Sequence, residues 1–576
     1  MRQPTADSSA LPLPDGLLGR LRAIVGRRHL LTADRQTRAF RIGYRFGGGP
    51  VLAVAVPGTL VEQWRVAVAC HAAGVIIIPQ AANTGLTGGS TPVAEGYDRP
   101  VVILSTRRLK GIRPIEDGAQ VVCLAGASLF ELERVLAPLG RQPHSVIGSS
   151  CIGASVVGGI CNNSGGALVE RGPAYTEWAL YARAEPDGTL TLVNHLGIAL
   201  GGDPETILSR LEAGAFGPAD IVRDDTRRAS DAGYAAHVRQ VDAATPARFN
   251  ADPHRLREAS GSAGRLIVFA VRLDTFRQDL DPAVFYIGAN DPATLTALRR
   301  DILSGFSTLP VTGEYIHRDA FDIAAVYGKD VFLAIERLGT HRLPALFAMK
   351  ARVDTIAARF GRLGAGLSDR LLQAASRLFP QHLPSRMRAF RDRFEHHLIL
   401  RMQGSGVAEA RAYFADRFDR AGVDADVFEC TAEEARKAFL HRFAVASAAV
   451  RYHAVHARRS GGIVALDIAL PRNTLDWVET LPPAIERRIA HKLYYGHFFC
   501  QVFHQDYLVH AGVDPHALEA EMLPLLDARG AEYPAEHNVG HLYVAKPALA
   551  AFYRALDPAN AFNPGIGQTS RKANWS

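Results

Sequence analysis

Several common signatures are missing from this chain of 576 residues. No stretch approaches the ~18 uninterrupted apolar residues that a membrane-spanning helix needs, and the apolar run Val75–Pro79 has only strand length. Residues 1–26 carry scattered Pro, Asp and Ser in place of the apolar core of a signal peptide, so secretion is not expected. The six cysteines, Cys70, Cys123, Cys151, Cys161, Cys430 and Cys500, show neither zinc nor redox CxxC spacing, and read as small buried residues in a reducing compartment. A Rossmann site needs GxGxxG between a strand and a helix, and a P-loop needs GxxxxGK[ST]; neither is present.

Two glycine-rich stretches stand in their place, AANTGLTGGS at 81–90 and GSSCIGASVVGGICNNSGG at 148–166. Positions without side chains let successive main-chain N–H groups converge on a diphosphate without lysine or metal. Each stretch reads as one wall of a cradle for a large phosphorylated cofactor.

The length is that of roughly three to four domain-sized units. Hydrophobic content of 48% and charged content of 21% are those of a globular protein. Strands are expected at 51–56, 75–78, 101–104, 121–124, 179–183, 189–194 and 263–273. A helix is expected over 58–73 with Leu60, Trp64 and Val68 on one side, and another over 129–136 before Pro138. Residues 201–252 are polar and irregular and read as a long surface excursion. Beyond a composition shift at 274–281, strands at 283–288 and 309–315 with a helix at 291–304 open an α+β unit. Its other half is expected at 396–402, 407–421 and 463–470.

Charge is concentrated between these halves. The whole chain carries +7, yet residues 337–393 alone hold 12 Lys and Arg against Asp354, Asp369 and Asp392, a balance of +9. Apolar side chains such as Phe360, Leu371, Leu378, Phe379 and Phe390 are interleaved with these cations, a pattern suited to an anionic headgroup layer. A solvated helical face is the plainer alternative. Nucleic acid is not expected as a partner, because no recognition motif accompanies the charge.

The combination of PGTLVEQW at 57–64, IIIPQAANTGLTGGSTP at 76–92 and the second glycine stretch resembles the FAD-binding domain of the vanillyl-alcohol oxidase / p-cresol methylhydroxylase family. The segments EHNVGHLY at 536–543 and DPANAFNPG at 557–565 are similar to the closing segments of that family, which return to the flavin domain. With KLYYGHFFCQVFHQDY at 492–507, the similarity to its D-lactate-oxidising, quinone-reducing members runs nearly the full length.

The resemblance implies an α+β fold with a two-subdomain FAD-binding domain of the vanillyl-alcohol oxidase type, an α+β cap domain and a basic helical membrane-binding insert. The implied boundaries are 1–275 and 526–576 for the flavin domain, 276–335 and 396–525 for the cap, and 336–395 for the insert. It implies FAD held by Ala81, Ala82, Asn83, Thr84, Gly85, Gly89 and Ser90, with Gly148, Ser155 and Gly165 opposite and the Val268 backbone closing the site. With Asn83 and Thr84 where some members attach flavin covalently, a non-covalent cofactor is expected; His144 and Cys151 keep attachment open. The implied partners are D-lactate and related 2-hydroxy acids, a quinone and an anionic phospholipid surface. The implied location is peripheral, on the cytoplasmic face of the bacterial inner membrane.

Oxidation of a 2-hydroxy acid needs a base for the hydroxyl proton, an acceptor for the α-hydrogen and a cation for the carboxylate. His537 is the expected base, its imidazole able to accept a proton near neutrality. By resemblance Arg442 binds the carboxylate, with Arg451 as rival; a guanidinium can grip a carboxylate bidentately. His497 and His504 with Glu536 are similar to a His-x6-His and Glu-His arrangement that holds a divalent metal in related D-2-hydroxyglutarate dehydrogenases. The Gly-Asp-Gly between those histidines is absent here, so the metal stays open. The alternatives are a soluble flavin 2-hydroxy-acid oxidase or dehydrogenase using another acceptor, and a non-catalytic basic surface-binding protein.

Overall fold

The computed structural model describes residues 15–144, 153–224, 226–278, 281–339, 367–418 and 424–576, together with Met349 and Val353. Gly148, Cys151 and almost all of 340–366 lie outside the described residues. No helix among the described residues is long and apolar enough to cross a membrane, and the five described cysteines are free thiols.

The N-terminal apolar runs form a four-stranded sheet in the order Leu30–Leu31, Ala53–Ala55, Val101–Ser105, Ile76–Gln80, the last three strands parallel. The helix Leu60–Ala72 crosses between parallel strands and is capped by Thr59, whose side chain accepts from Glu62 N at 3.0 Å. Its buried side is Leu60, Gln63, Val66, Ala67 and Cys70 rather than the expected Leu60, Trp64 and Val68. Gln63 takes an interior position because its amide donates to Val268 O at 3.2 Å, which offsets the cost of burying it.

A second, antiparallel sheet runs Ile112–Ile115, Gln120–Leu124, Ile267–Asp274, Ala179–Ala184, Leu190–His195. Apolar side chains of both sheets, among them Val102, Leu104, Leu180, Ile267 and Phe269, share one core. The chain's last segment returns to this region. Ile77 N donates to Ala561 O at 3.0 Å and Asn563 N to Ile77 O at 2.9 Å, so the edge strand is paired.

A seven-stranded antiparallel sheet is made of Ala425–Glu429, Ala283–Ala289, His396–Met402, Thr312–His317, Ile489–His497, Val502–His510 and Ser460–Ala469, in that order. The helices Pro292–Gly305, Ser405–Phe418 and Pro515–Ala528 cover one face through Leu298, Ile302, Phe414 and Met522. Arg318–Tyr327 and the long helix Ala432–Val455 cover the other. Thr431 starts the long helix with a capping box, accepting from Glu434 N while Glu434 Oε2 accepts from Thr431 N at 2.9 Å.

Two expectations are corrected. Residues 201–252 are not a surface excursion: the helix Pro204–Ala213 buries Ile207, Leu208 and Leu211, and Tyr234, Arg248 and Asn250 lie in the interior. The segment looks polar because some of its buried groups, Arg248 and Asn250, are a guanidinium and an amide matched to carbonyls and a carboxylate, which hydropathy does not register.

The second correction concerns the basic stretch. The helix Ser385–Arg393 sets Met387 and Phe390 into the core beneath the seven-stranded sheet. Three of its four cations are paired with acids outside the stretch, Arg386 with Glu434, Arg391 with Asp322 and Arg393 with Asp426. The balance of +9 therefore overstates the charge left facing outward. The helix Leu367–Ser376 and the turn after it expose apolar side chains instead: Leu371 is 60% and Leu378 87% accessible, with Phe379 beside them.

Candidate active site

The two glycine stretches converge on the C-terminal segment. In the first, Asn83 adopts the left-handed backbone at φ 56° and Gly88 at φ 74°. Asn83 Nδ2 donates to Ile42 O at 2.9 Å, and Ser90 Oγ donates to Asn83 Oδ1 at 3.2 Å. Arg107 donates to the carbonyls of Ala81 and Ala82, and Asn563 Nδ2 to that of Gly89 at 2.8 Å. In the second, Ser155 caps the short helix Val156–Cys161, accepting from Gly158 N at 3.0 Å. One residue joins the two: Thr87 Oγ1 donates to Asn538 O at 2.6 Å, and Asn538 Nδ2 donates to Asn162 Oδ1 at 2.8 Å.

These loops fit a dinucleotide-sized cofactor. Among the described residues, a Cβ built on Gly85 or Gly153 would meet nothing within 4 Å, so main chain at both glycines can approach a ligand. Val268 lies at a bulge in its strand, and its carbonyl is taken by Gln63. His144 is buried beside Arg171; burial first and that cation second bring it down to about 4.

Beyond the loops lies a cluster of charges. His497, at the end of the strand Ile489–His497, places Nδ1 2.6 Å from Glu314 Oε1 and Nε2 3.2 Å from Glu536 Oε2. His504 places Nδ1 3.3 Å from Asp467 Oδ1 and Nε2 3.8 Å from Glu536 Oε2. His497 and His504 thus both turn Nε2 to the same carboxylate oxygen and rest Nδ1 on another acid. The ligating atoms of His497, His504 and Glu536 lie within 4.8 Å of one another. Two imidazoles backed by carboxylates, with a third carboxylate facing them, are a donor set that fits a divalent metal.

Charge balance is met by two guanidinium groups. Arg442, from the long helix, lies 3.0 Å from Glu314 Oε2 and stacks over the Tyr495 ring at 4.6 Å. Arg248 is buried and donates to Glu536 Oε1 at 2.9 Å, to Leu168 O at 3.1 Å and to Gly166 O. Burial pushes Glu536 up, but His497 and Arg248 outweigh it and hold the carboxyl well below its ordinary range. Glu314 is likewise brought down against burial by His497 and Arg442. Burial pulls His497 down, yet Glu314 and Glu536 outweigh it and push it up to about 10.

His537 differs from its neighbours in being about one-third accessible, with Nε2 3.9 Å from Asp467 Oδ2. Asp467 is fixed by the main chain, accepting from Glu536 N at 2.8 Å. Arg451 is placed elsewhere: it pairs with Asp330 at 2.9 Å and Asp369 at 2.7 Å. His541 spans Thr91 O and Gly565 O and ties the two chain segments together.

A family model described as FAD binding domain matches residues 51–191, and one described as D-lactate dehydrogenase, membrane binding matches 284–575. The chain is 57% identical over 560 residues to the quinone-dependent D-lactate dehydrogenase of Haemophilus influenzae, covering 97% of this chain and 99% of that one. The chain belongs to the quinone-dependent D-lactate dehydrogenases. The Escherichia coli member is 56% identical, with 97% of each chain covered. Among solved structures, p-cresol methylhydroxylase with substrate bound superposes with a TM-score of 0.55 at 12% identity, covering 96% of both chains. That likeness bears on fold alone, and the α+β architecture of the vanillyl-alcohol oxidase type is the one expected.

In this chain, sequence reasoning missed Glu314, Asp467, Arg248 and Asn538. Glu314 and Asp467 are acids inside otherwise apolar strands, VTGEYIH and GGIVALDIAL, and a buried acid in a strand is itself a signal of a charged partner. Asn538 adjoins His537 in a motif already singled out. Arg248 carried no such signal, because its surroundings read as loop.

Proposed function

We propose that the chain is a flavoprotein that oxidises D-lactate to pyruvate and passes the electrons to a quinone while held peripherally on a membrane. In this reading residues 1–275 and 526–576 hold FAD, 276–335 and 396–525 form the cap over the reaction site, and 336–395 meet the membrane on the cytoplasmic face of the inner membrane. Anionic phospholipid suits the cations of that stretch that have no ion-pair partner among the described residues, such as Arg370, Arg377 and Arg388.

The carrying observation is convergence. Both glycine loops and the charged cluster of Arg442, Glu314, His497, His504 and Glu536 meet at the segment 536–538. Ala81 to Gly85, Gly89 and Ser90 would border FAD on one side, and Gly148, Ser155 and Gly165 on the other, with Val268 beneath. Bound FAD supplies the two-electron acceptor for the hydrogen on the carbinol carbon and relays the electrons to quinone.

The protein's own part is binding and proton movement. Arg442 grips the substrate carboxylate, a contact that places the carbinol toward the loops. His537 accepts the hydroxyl proton at Nε2, and Asp467 stabilises the imidazolium that forms. His497, His504 and Glu536 would hold a divalent metal, whose Lewis acidity would polarise the hydroxyl and carboxylate oxygens.

The long helix gives the membrane contact a place in the same account. Arg442 at the site and Arg451 at the helix Leu367–Ser376 lie nine residues apart on it, about 13.5 Å along the axis. The helix that carries exposed Leu371 is thus tied to the same long helix that carries Arg442. Steady-state turnover of D-lactate, L-lactate and D-2-hydroxyglutarate with a quinone acceptor tests the reading: D-lactate is expected to dominate, and equal turnover of the two lactates would overturn it.

A further inference from the structure

Arg442 meets two demands at once. It lies 3.0 Å from Glu314 Oε2, yet it is also the group that must grip a carboxylate arriving from outside. A guanidinium turned edge-on to Glu314 would form a bidentate pair and spend its donors there. Arg442 is not spent in this way. Its Nη2 contact with Glu314 is an ion pair without hydrogen-bond geometry, and among the described residues neither Nε nor Nη2, both buried, has a hydrogen-bond partner. Attraction to Glu314 does not account for that orientation.

The ring beneath it does. On the strand Ile489–His497, Tyr495 is registered opposite Ile316 on one side and His504 on the other, and His497, two residues on, is opposite Glu314. Directly opposed residues and i, i+2 neighbours share a sheet face, so Tyr495, His497, His504 and Glu314 lie on the one that the long helix covers. The guanidinium carbon of Arg442 stands 4.6 Å from the centroid of the Tyr495 ring. That ring is itself fixed from two sides: its hydroxyl donates to Asp506 Oδ2 at 2.8 Å, and its plane packs 5.3 Å from the His504 ring. Tyr495 is buried, and a cation over a ring face shielded from water is held more firmly than one at an exposed site.

We propose that Tyr495 is a positioning residue for substrate binding: its ring face holds the Arg442 guanidinium flat and out of an edge-on pair with Glu314, so that Nε and Nη2 stay available to an incoming carboxylate. The same ring packs on His504, which refers the carboxylate-binding group and one member of the histidine pair to a single fixed surface. The inference rests on the role of Arg442 proposed above.

Tyr495→Leu and Tyr495→Phe, made in the flavin-loaded full chain and assayed with a soluble dye as acceptor, test it. Leu removes the ring face, whereas Phe keeps it and loses the bond to Asp506. The KM for D-lactate is expected to rise about 5- to 30-fold in Tyr495→Leu with a smaller change in kcat, and Tyr495→Phe should recover most of that loss. A Tyr495→Leu KM within about threefold of the parent, a Phe variant as weak as the Leu variant, or a fall in kcat with KM unmoved would overturn the proposal. Oxalate titration followed by the flavin spectrum reads carboxylate binding without turnover, and affinity should fall in the order parent, Phe, Leu. A parent that binds oxalate but leaves D-lactate unoxidised would sink the functional reading alone. The oxalate order then decides for Tyr495, and equal affinity in all three proteins overturns its role. Should Tyr495→Leu fail to fold, Tyr495→Met, which also lacks a ring, carries the same comparison.

Discussion

Arg248 donates to Glu536 Oε1 at 2.9 Å across 288 residues of chain, and the same guanidinium holds the carbonyls of Gly166 and Leu168. One buried side chain thus fixes the acid of the charged cluster to the end of the second glycine loop. Arg248→Met takes from buried Glu536 one of its two cations and leaves His497 alone to offset the carboxylate. The expected cost is about 3–5 kcal/mol in denaturant unfolding of the flavin-loaded protein, with partial recovery in the double variant carrying Glu536→Gln. A loss below about 1 kcal/mol would mean that the pair contributes little.

Gly165 makes the same junction from the other side. A Cβ at this position would lie 2.3 Å from Glu536 Oε1, so Gly165→Ala must displace the carboxylate. Turnover should fall at least about 10-fold while flavin stays bound. Gly159→Ala is the control: its Cβ would meet Ala174 Cβ at 3.7 Å, an ordinary contact, and activity should persist.

Membrane attachment is expected to depend on apolar side chains more than on the paired arginines. Replacing Leu371, Leu378 and Phe379 with Ser should reduce binding to anionic vesicles at least about 10-fold and leave dye-linked activity intact. Replacing Arg386, Arg391 and Arg393 should instead lower thermal stability, because these side chains are joined to Glu434, Asp322 and Asp426. Sedimentation with vesicles and a melting curve separate the two outcomes.

The Arg386–Glu434 pair also gives a pH dependence. Hydrogen bonding from Arg386, opposed by burial and aided by the Thr431 contacts, holds the Glu434 carboxyl down at about 2. An unfolded Glu titrates near 4.3, so this contribution is present in full above about pH 4.3 and is lost as pH falls toward 2. Arg386 is 45% accessible, which limits the pair to about 1 kcal/mol. Glu434→Gln should therefore lower the melting temperature slightly at neutral pH and flatten its acid dependence below about pH 4.3. An unchanged slope would remove the pair from the account.

The strands and the glycine loops were legible because their signals are local: apolar runs of strand length, and clustered residues without side chains. His497, His504 and Glu536 were legible as a motif and are brought together by two adjacent strands and the closing segment. Arg248 and Asp467 were not, because a buried charge is defined by its partner, and these partners are 288 and 69 residues away. The basic stretch misled for the same reason: counting Arg386, Arg391 and Arg393 as free ignored acids supplied from distant elements. The helix Leu60–Ala72 shows a smaller version, where Gln63 outranked Trp64 once Val268 O offered it a partner.

The most direct test of the account is an anaerobic absorption experiment on the purified protein. A yellow flavin spectrum that is bleached by D-lactate and restored by a quinone is the expected result. A colourless protein, or a flavin that D-lactate leaves oxidised, would contradict it.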